Sequence, residues 1–411
     1  MTVAVVDGYS TARFLVGELS VRGVDCVHLH SKEKLTAEQQ SAVASAAYTI
    51  DLGYLDNADD AVSKLQEFDI TQVVAGTEAG VTLADTLNYR MGMPGNEIEK
   101  IRARRDKFAM ANCLRQAGLS APSSFVTDTT TDAVEWFEAN RSAPVVVKPV
   151  SSAATDNVRV CRTAKQVEQA CSSVLHSRDF FDIRNTRVMI QEYLEGDLYI
   201  VNTVTVGGVH KVSDVWLSVK APGPDGAPIH NYRQTMPRDD PTVKAVISYA
   251  TAAVETLGIA NGAAHSEIMH TSGGPVLIET GARLMGAVLP SLLAEYSGTS
   301  HVHLLALAIS DPAAFRLFDD MTVEQRKVIR DVWLINHYDG LSRSISWRGK
   351  YAALPTHRTI SSTIEPGIIL PRTVDMITSP GIVSLVSESI PELDRDYRAI
   401  RTLEEEAIYL T

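Results

Sequence analysis

Residues 263–283 read AAHSEIMHTSGGPVLIETGAR and carry the clearest structural pattern of the chain. Two runs, Ala263–Met269 and Val276–Ile278, flank the turn pair Gly273-Gly274. Two such runs separated by a short glycine turn are typical of a β-hairpin. We therefore predict two antiparallel strands here, with acidic side chains placed on both of them.

Glu267 and Glu279 fall roughly opposite each other on this predicted hairpin. Like charges that face each other across strands destabilise a sheet, so a cation between the two carboxylates is the best explanation of the pair. Oxygen ligands favour Mg²⁺ over zinc. Arg283, four residues after the second glutamate, is placed to stabilise negative charge during a reaction. The alternative is a register shifted by one residue, which would turn one glutamate toward solvent.

The composition is that of a globular protein of two or three packed lobes, with 411 residues, 45% hydrophobic and 21% charged. Thirty-eight Lys and Arg against 50 Asp and Glu leave a formal net charge of −12, which weighs against nucleic acid as a partner. There is no apolar run of membrane-spanning length and no basic signal-peptide region, so we expect a cytoplasmic enzyme. No C-x-x-C pair indicates a zinc site or a disulfide framework among Cys26, Cys113, Cys161 and Cys171.

The first residues alternate strand and helix patterns. Val3–Val6 is a short apolar run that Asp7-Gly8 interrupts, and apolar positions at helical spacing follow. Val24–Leu29 and Val73–Ala75 predict two further strands. Alternating strands and helices imply a parallel sheet with helices on its faces.

Three domains are predicted, with bounds 1–95, 96–193 and 194–411. The second begins with a helix rich in Arg and Lys that should end near Gly118. It continues as a small α+β unit with strands at 125–126, 145–148, 158–161 and 188–192 and helices over 132–140 and 164–175. The third is larger and contains the predicted hairpin. The fold class is therefore α/β.

Several common site motifs are missing. There is no G-x-G-x-x-G after the first strand and no G-x-x-x-x-G-K-[ST], so neither a dinucleotide site nor a P-loop is supported. There is no G-x-S-x-G elbow. His265 and Glu267 form an H-x-E, but no P-C-x-x-C follows, which excludes a zinc deaminase. His301 and His303 have no third ligand nearby and are interpreted as core or surface histidines.

Two lysines are candidate phosphate ligands. Lys148 ends an apolar strand, where an ammonium group is costly unless it meets an anion or solvent. The small-residue loop 151–155 follows, and its backbone N–H groups could approach a phosphate. A lysine that extends its head to solvent is the alternative. Lys107 lies in a basic stretch and is either a second cation for phosphates or part of a solvated helix face.

The segment Gln191–Gly196 follows the apolar run Val188–Ile190. A carboxylate and exposed backbone groups at a lobe junction can hydrogen-bond the edge of a purine. Acidic residues at strand ends are common, so this segment by itself is a weak signal.

Taken in order, these elements resemble the ATP-grasp superfamily. Their order along the chain is the order in that family. It runs from a Rossmann-like first lobe through a helical lysine, a strand lysine with a small-residue loop and an acidic hinge to two acidic metal ligands and an arginine. The spacing from Glu279 to Arg283 resembles its E-x-N-x-R signature, with Gly281 where asparagine is usual and often completes a metal shell. Leu198 stands where a glutamate often holds the ribose.

Within that superfamily the chain most resembles the L-amino acid ligases that make dipeptides. The run Arg283–Gly286 resembles their R-x-x-G signature, and Gly226–Tyr232 resembles their substrate loop. Glu365–Gly367 and Ser379–Val383 resemble parts of their last lobe. The resemblance implies an ATP-grasp fold with a Rossmann-like N-terminal lobe, a small α+β lid lobe and a larger C-terminal α+β lobe.

The resemblance also implies a role for each matching residue. Lys107 and Lys148 would contact the ATP phosphates, and Glu267 and Glu279 would bind Mg²⁺, with Mn²⁺ as the alternative ion. Arg283 would be catalytic and would contact the substrate acyl phosphate. The remaining implied contacts are a phosphate-covering loop at Ala154 and Thr155, an adenine site at Gln191, Glu192, Tyr193 and Leu194, and an amino acid pocket bordered by His230 and Gly286. A loop histidine without a role is the alternative for His230.

The implied activity is an ATP-dependent carboxylate–amine ligase that joins two L-amino acids through an acyl phosphate. The rivals are an ATP-grasp ligase or carboxylase acting on another acid, a non-catalytic nucleotide-binding homologue and, disfavoured by the missing glycine motif, a dehydrogenase. The expected partners are small amino acid substrates, without nucleic acid or membrane, and a homodimer is the default assembly.

Overall fold

The computed structural model of the protein describes residues 1–140, 144–152, 156–179, 182–224, 228–343, 345–362 and 364–410. Residues 1–121 contain β1 (Thr2–Val6), α1 (Ala12–Val21), β2 (Asp25–His30), α2 (Ala37–Ala44), β3 (Ile50–Tyr54), α3 (Ala58–Leu65), β4 (Ile70–Ala75), α4 (Val81–Arg90), a 3-10 helix (Ile98–Arg104) and α5 (Lys107–Gln116). Residues 122–198 contain β5 (Ser124–Thr127), α6 (Thr130–Asn140), β6 (Val145–Pro149), β7 (Arg159–Cys161), α7 (Ala164–Leu175), β8 (Val188–Glu192) and the start of β9 (Asp197–Val206).

The chain continues with β10 (Val209–Pro222), β11 (Pro228–Thr235), α8 (Pro241–Thr256), β12 (Asn261–Thr271), β13 (Gly274–Gly281), α9 (Pro290–Ser297), α10 (His301–Ser310) and α11 (Pro312–Leu317). The last elements are β14 (Val328–Trp333), β15 (Gly340–Leu341), α12 (Trp347–Ala352), β16 (His357–Ser361), β17 (Ile369–Leu370), β18 (Ile382–Ser387) and α13 (Ile390–Glu405). Among the described residues, none of these helices is both long and apolar enough to cross a membrane.

The chain divides into two compact units. The first unit comprises Met1–Ala121, Tyr199–Val215 and Arg238–Glu324. The second unit comprises Pro122–Leu198, Trp216–Pro237 and Gln325–Thr411. The three domains with bounds 1–95, 96–193 and 194–411 stay a prediction.

The first unit opens with the predicted parallel sheet. Its strand order is β3-β2-β1-β4, and each neighbouring pair is parallel. Val3 and Val5 of β1 pack in one apolar cluster with Leu15 and Leu19 of α1. The three strands predicted from apolar runs are thus confirmed. Strand β3, with the sequence IDLGY and no fully buried residue, has no apolar run that would have signalled it.

The predicted Arg- and Lys-rich helix is interrupted, which corrects the single-helix prediction. The 3-10 helix ends at Arg104, and α5 begins at Lys107. Between them Asp106 adopts an extended conformation, and its side chain accepts hydrogen bonds from the N–H groups of Phe108 and Ala109. This N-cap starts a new helix, because it satisfies two donors that have no partner within the helix. It also makes Lys107 the first helical residue.

The first unit also contains the predicted hairpin. Strands β12 and β13 form it, and the strand order continues as β13-β12-β9-β10. The turn between β9 and β10 is Gly207-Gly208, and both glycines have positive φ. Consecutive residues with positive φ suit the tight turns that join antiparallel strands, and glycine adopts them without steric cost.

The second unit holds a four-stranded antiparallel sheet of order β5-β8-β6-β7. Its core includes Val145, Val147 and Ile190 from the strands and Val167 and Cys171 from α7. The predicted strand and helix order of this segment is confirmed. In the same unit, the last part of β10 continues into the order β11-β14-β18-β16, whose successive pairs are antiparallel.

Asp106→Ala is expected to lower the unfolding free energy by about 1 kcal/mol, because two N–H groups at the start of α5 lose their acceptor. Asp106→Asn keeps a side-chain oxygen that can accept both hydrogen bonds, so its loss should be only about 0.3 kcal/mol. Urea denaturation followed by circular dichroism measures both variants. Equal stability of the two would show that the cap does not hold this helix start.

Candidate functional site

The register of the hairpin brings Glu267 and Glu279 face to face. From the turn outward, Thr271 pairs with Gly274 and Ile268 pairs with Leu277. Continued without interruption, this register would set Glu267 opposite Ile278. A β-bulge follows instead, and Glu267 pairs with Glu279. The predicted facing pair is confirmed, and the shifted register is excluded.

Lys107 lies against this acidic pair. Its Nζ is 2.6 Å from Glu279 Oε2, and both side chains are largely shielded from solvent. The position follows from the Asp106 cap, which places Lys107 in the first turn of α5. An ammonium group at this distance neutralises part of the repulsion between the two carboxylates.

Arg283 is held by the carboxylate of Glu78, which is not among the predicted site residues. Glu78 lies just after β4, and its Oε2 is 3.1 Å from Arg283 Nε. The other oxygen of Glu78 is 2.6 Å from Arg105 Nη1. Burial alone would raise the pKa of Glu78, but Arg283 and Arg105 outweigh it and hold the pKa below the ordinary value. Glu78 therefore stays ionised between two guanidinium groups.

A signal for Glu78 was present in the sequence. Ligand-binding groups in parallel α/β sheets gather beyond the carboxyl ends of the strands, and Glu78 follows the predicted strand at Val73–Ala75 by three residues. Arg105 carried no such signal, because its basic neighbours suggested a solvated helix face.

Gly281 makes room for this ion pair. A methyl group at position 281 would overlap Glu78 Oε2 and lie 3.3 Å from Arg283 Nε. The absence of a side chain where the family pattern has asparagine is thus explained by the approach of Glu78. Gly286 lies in the turn after β13, where a methyl group would meet nothing within 4 Å.

His265 extends the polar surface of β12. Its Nε2 is 3.7 Å from Glu267 Oε1, and its Nδ1 is 2.9 Å from Asn202 Oδ1. Burial lowers the pKa of His265 below the ordinary value, against the opposite effect of Glu267. In the sequence His265 is part of an H-x-E only, and no local pattern indicates Asn202 as its partner.

His301 and His303 lie on helix α10, not on a strand. Both ring nitrogens of His301 are used within the core: Nδ1 accepts from the N–H of Met285, and Nε2 donates to the carbonyl of Thr203. His303 is half-exposed near Glu18. Their interpretation as core and surface histidines agrees with these contacts.

The remaining predicted residues belong to the second unit. Lys148 is buried on β6 and pairs with Met189 on β8, while Gln191 pairs with Val146 two positions along. Gln191 Oε1 is buried and has no hydrogen-bond partner in the part of the chain that the structure describes. The first unit therefore brings together Lys107, Glu267, Glu279 and Arg283, and the second unit brings Lys148 near the strand that ends in Gln191 and Glu192. Tyr193 and Leu194 follow directly after that strand, and Tyr193 is exposed.

Two predicted loops fall partly outside the described residues. Ala154 and Thr155 of the phosphate-covering loop lie outside them, as do Gly226 and Ala227 of the substrate loop. From Pro228 onward the second segment is not a loop but strand β11. The ring of His230 on this strand is tilted by 30° against the ring of Trp333, with 4.9 Å between the ring centroids. Lys220 Nζ is 2.9 Å from His230 Nε2.

A second group of possible ligand atoms lies on the parallel sheet, at His28, His30 and Asp51. His28 uses both ring nitrogens in this fold, since Nε2 accepts from the N–H of Gly8 and Nδ1 lies 3.0 Å from Asp51. Burial lowers the pKa of His28, which keeps the ring neutral. The group therefore anchors the turn after β1.

The chain is similar to known proteins over nearly its whole length. The family model of the ATP-grasp domain matches residues 104–287. The sequence is 30% identical to Dapdiamide A synthase from Enterobacter agglomerans, over 99% of this chain and 97% of that protein.

Solved structures show the same fold at lower identity. The L-amino acid ligase from Bacillus licheniformis superposes with a TM-score of 0.78 at 19% identity and covers 98% of this chain and 97% of its own. A carboxyaminoimidazole ribonucleotide synthase from Aspergillus clavatus, complexed with ATP, gives a TM-score of 0.72 at 14% identity and 98% coverage of both chains.

Gly281→Ala is expected to destabilise the protein by about 1–3 kcal/mol, because the added methyl group displaces Glu78 from Arg283 in a packed site. Gly17→Ala is the matched control, since a methyl group there meets nothing within 4 Å and helix α1 favours alanine. Thermal denaturation of both variants measures the effect. A midpoint for Gly281→Ala that equals the wild-type value would contradict the tight approach of Glu78.

Proposed function

We propose that this chain, which belongs to the ATP-grasp family and is an ATP-dependent carboxylate–amine ligase, joins two L-amino acids into a dipeptide through an acyl phosphate. The predicted ATP-grasp fold and ligase class are confirmed by the full-length likenesses described above. The products of the proposed reaction are the dipeptide, ADP and phosphate.

One observation carries the proposal: Lys107 lies 2.6 Å from one of two facing glutamates, and Arg283 follows that glutamate by four residues, in a chain similar over 99% of its length to Dapdiamide A synthase. For phosphoryl transfer such a site offers two cationic side chains, Lys107 and Arg283, and two carboxylates that can bind a metal cation. It has no need of a protein nucleophile, because transfer to a carboxylate requires charge neutralisation and positioning.

The acidic pair fits a divalent cation. Glu267 and Glu279 supply hard oxygen donors, and their mutual repulsion is relieved by a cation between them. A bound Mg²⁺ would neutralise the negative charge that develops on the transferred phosphoryl group. Lys107, which already contacts Glu279, would hold phosphate oxygens beside it.

The other proposed contacts follow the family resemblance. Lys148 would contact the phosphates, and the loop with Ala154 and Thr155 would cover them. The adenine ring would lie against Gln191, Glu192, Tyr193 and Leu194, where the buried Gln191 oxygen has an unused acceptor position among the described residues. His230 and Gly286 would border the amino acid pocket.

The reaction proceeds in two steps. A carboxylate oxygen of the first amino acid bonds to the γ-phosphorus, and the bond from that phosphorus to the β-bridging oxygen breaks, so ADP leaves. The amine nitrogen of the second amino acid then attacks the acyl carbon, and the carbon–oxygen bond to phosphate breaks as the amine loses a proton. Arg283 stabilises the acyl phosphate and the tetrahedral intermediate, and Glu78 orients its guanidinium group.

The closing of the site over the acyl phosphate is part of the proposal, since this intermediate hydrolyses readily in water. The predicted lid is the domain with bounds 96–193. A ligase or carboxylase that acts on another acid is the second candidate, favoured by the ATP-bound synthase of the same fold.

The first test is nucleotide and phosphate analysis with ATP and Mg²⁺ across pairwise mixtures of the twenty amino acids. ADP and phosphate that form only with particular amino acids, together with the matching dipeptide by mass spectrometry, are expected. AMP and pyrophosphate would contradict the acyl phosphate mechanism. Turnover with another acid and none with amino acids would favour the second candidate.

Arg283→Ala is expected to lower kcat about 10²–10³-fold, because a donor to the developing negative charge is lost. Arg105→Ala is the matched control, since it removes the other partner of Glu78 and leaves Arg283 in place. Its kcat should fall much less, while thermal midpoints of the two variants should be similar. A near-normal kcat for Arg283→Ala would contradict its catalytic role.

A further inference from the structure

A row of polar side chains crosses four adjacent strands of the first unit. Glu279 lies on β13, His265 on β12, Asn202 on β9 and Asp214 on β10, in the spatial order of these strands. Asn202 connects its two neighbours in this row, since its Oδ1 is 2.9 Å from His265 Nδ1 and its Nδ2 is 2.5 Å from Asp214 Oδ1. All three side chains are buried, and buried polar groups are stable only when they are hydrogen-bonded.

Asp214 sets the direction of these hydrogen bonds. A carboxylate accepts hydrogen bonds, so Asn202 presents its NH₂ group to Asp214. The same Asn202 Nδ2 also lies 3.0 Å from Met285 Sδ. The carbonyl oxygen of the Asn202 amide then faces His265. Because that oxygen accepts, His265 donates its proton from Nδ1.

The tautomer leaves a lone pair on His265 Nε2. This nitrogen is 3.7 Å from Glu267 Oε1, which is too long for a hydrogen bond. In metal sites the ligating histidine usually donates its other N–H to a carbonyl or carboxylate, which fixes the ring and its tautomer. His265 has this arrangement, with Asn202 and Asp214 behind it.

The position opposite His265 explains why a histidine would be needed. His265 pairs across the hairpin with Gly281, where the E-x-N-x-R pattern has an asparagine. Gly281 cannot provide a side-chain ligand, and Glu78 occupies the space that a side chain would take. The hairpin therefore offers the His265 ring nitrogen on β12, directly opposite Gly281 on β13, which has no amide oxygen to offer.

We propose that His265 Nε2 is the third protein ligand of the divalent cation at Glu267 and Glu279, and that Asn202 and Asp214 are positioning residues for the ring. The inference rests on the cation site of the proposed function. A mixed set of two carboxylates and one imidazole suits Mn²⁺ better than Mg²⁺, which prefers oxygen ligands. Mn²⁺ should accordingly bind the full chain more tightly than Mg²⁺ does.

The test is pulsed EPR of the full chain labelled with ¹⁵N-histidine and loaded with Mn²⁺ and ADP. A ¹⁵N coupling from a directly bound imidazole is expected, and the adenine nitrogens do not interfere because they remain ¹⁴N. His265→Gln should abolish the coupling. His30→Gln is the matched control, because His30 belongs to the other group of possible ligand atoms, and it should keep the coupling.

Each contrary outcome has a distinct meaning. Mn²⁺ that binds without any ¹⁵N coupling, and is lost in Glu267→Gln, would overturn the role of His265 and leave the two-glutamate cation site. A coupling that persists in His265→Gln or disappears in His30→Gln would place the imidazole ligand elsewhere and overturn the inference. No Mn²⁺ binding with ADP present would overturn both the inference and the cation site of the proposed function.

Discussion

Repulsion between Glu267 and Glu279 is the constraint around which the first unit is arranged. Directly opposed like charges destabilise a hairpin. The bulge between Glu267 and Ile268 nevertheless sets the two glutamates opposite each other. Lys107 offsets part of this repulsion at 2.6 Å, and its place at the start of α5 depends on the Asp106 cap. The proposed cation site would give a chemical use to an arrangement that otherwise only costs stability.

A second set of charges holds Arg283 beside that pair. Glu78 lies between two guanidinium groups, so its largely shielded carboxylate is compensated on both oxygens. The three residues come from the edge of the parallel sheet, the segment before α5 and the end of β13. Because Gly281 has no side chain, Glu78 can approach Arg283 closely. The glycine that departs from the family pattern therefore allows Glu78 to hold the Arg283 guanidinium group in place.

Most of the elements could be predicted from local patterns. The strands of the parallel sheet and the alternating strands and helices of the second unit follow hydrophobic periodicity, which is a property of neighbouring residues. The failures have physical reasons. Strand β3 has no fully buried residue, so no apolar run predicts it. The N-cap Asp106 lies within a basic stretch that suggests one continuous helix, and it divides that predicted helix in two.

The sequence by itself determined which residues are candidates for the chemistry and in what order they occur, since a glycine turn between two acidic strands and an arginine four residues later are local features. Only the tertiary structure decided their partners. The bulge that aligns the glutamates, the salt bridge from Glu78 to Arg283 and the contact from Asn202 to His265 join residues up to 205 positions apart. Local spacing determines which face of a strand is buried, whereas such contacts depend on the order in which distant strands assemble.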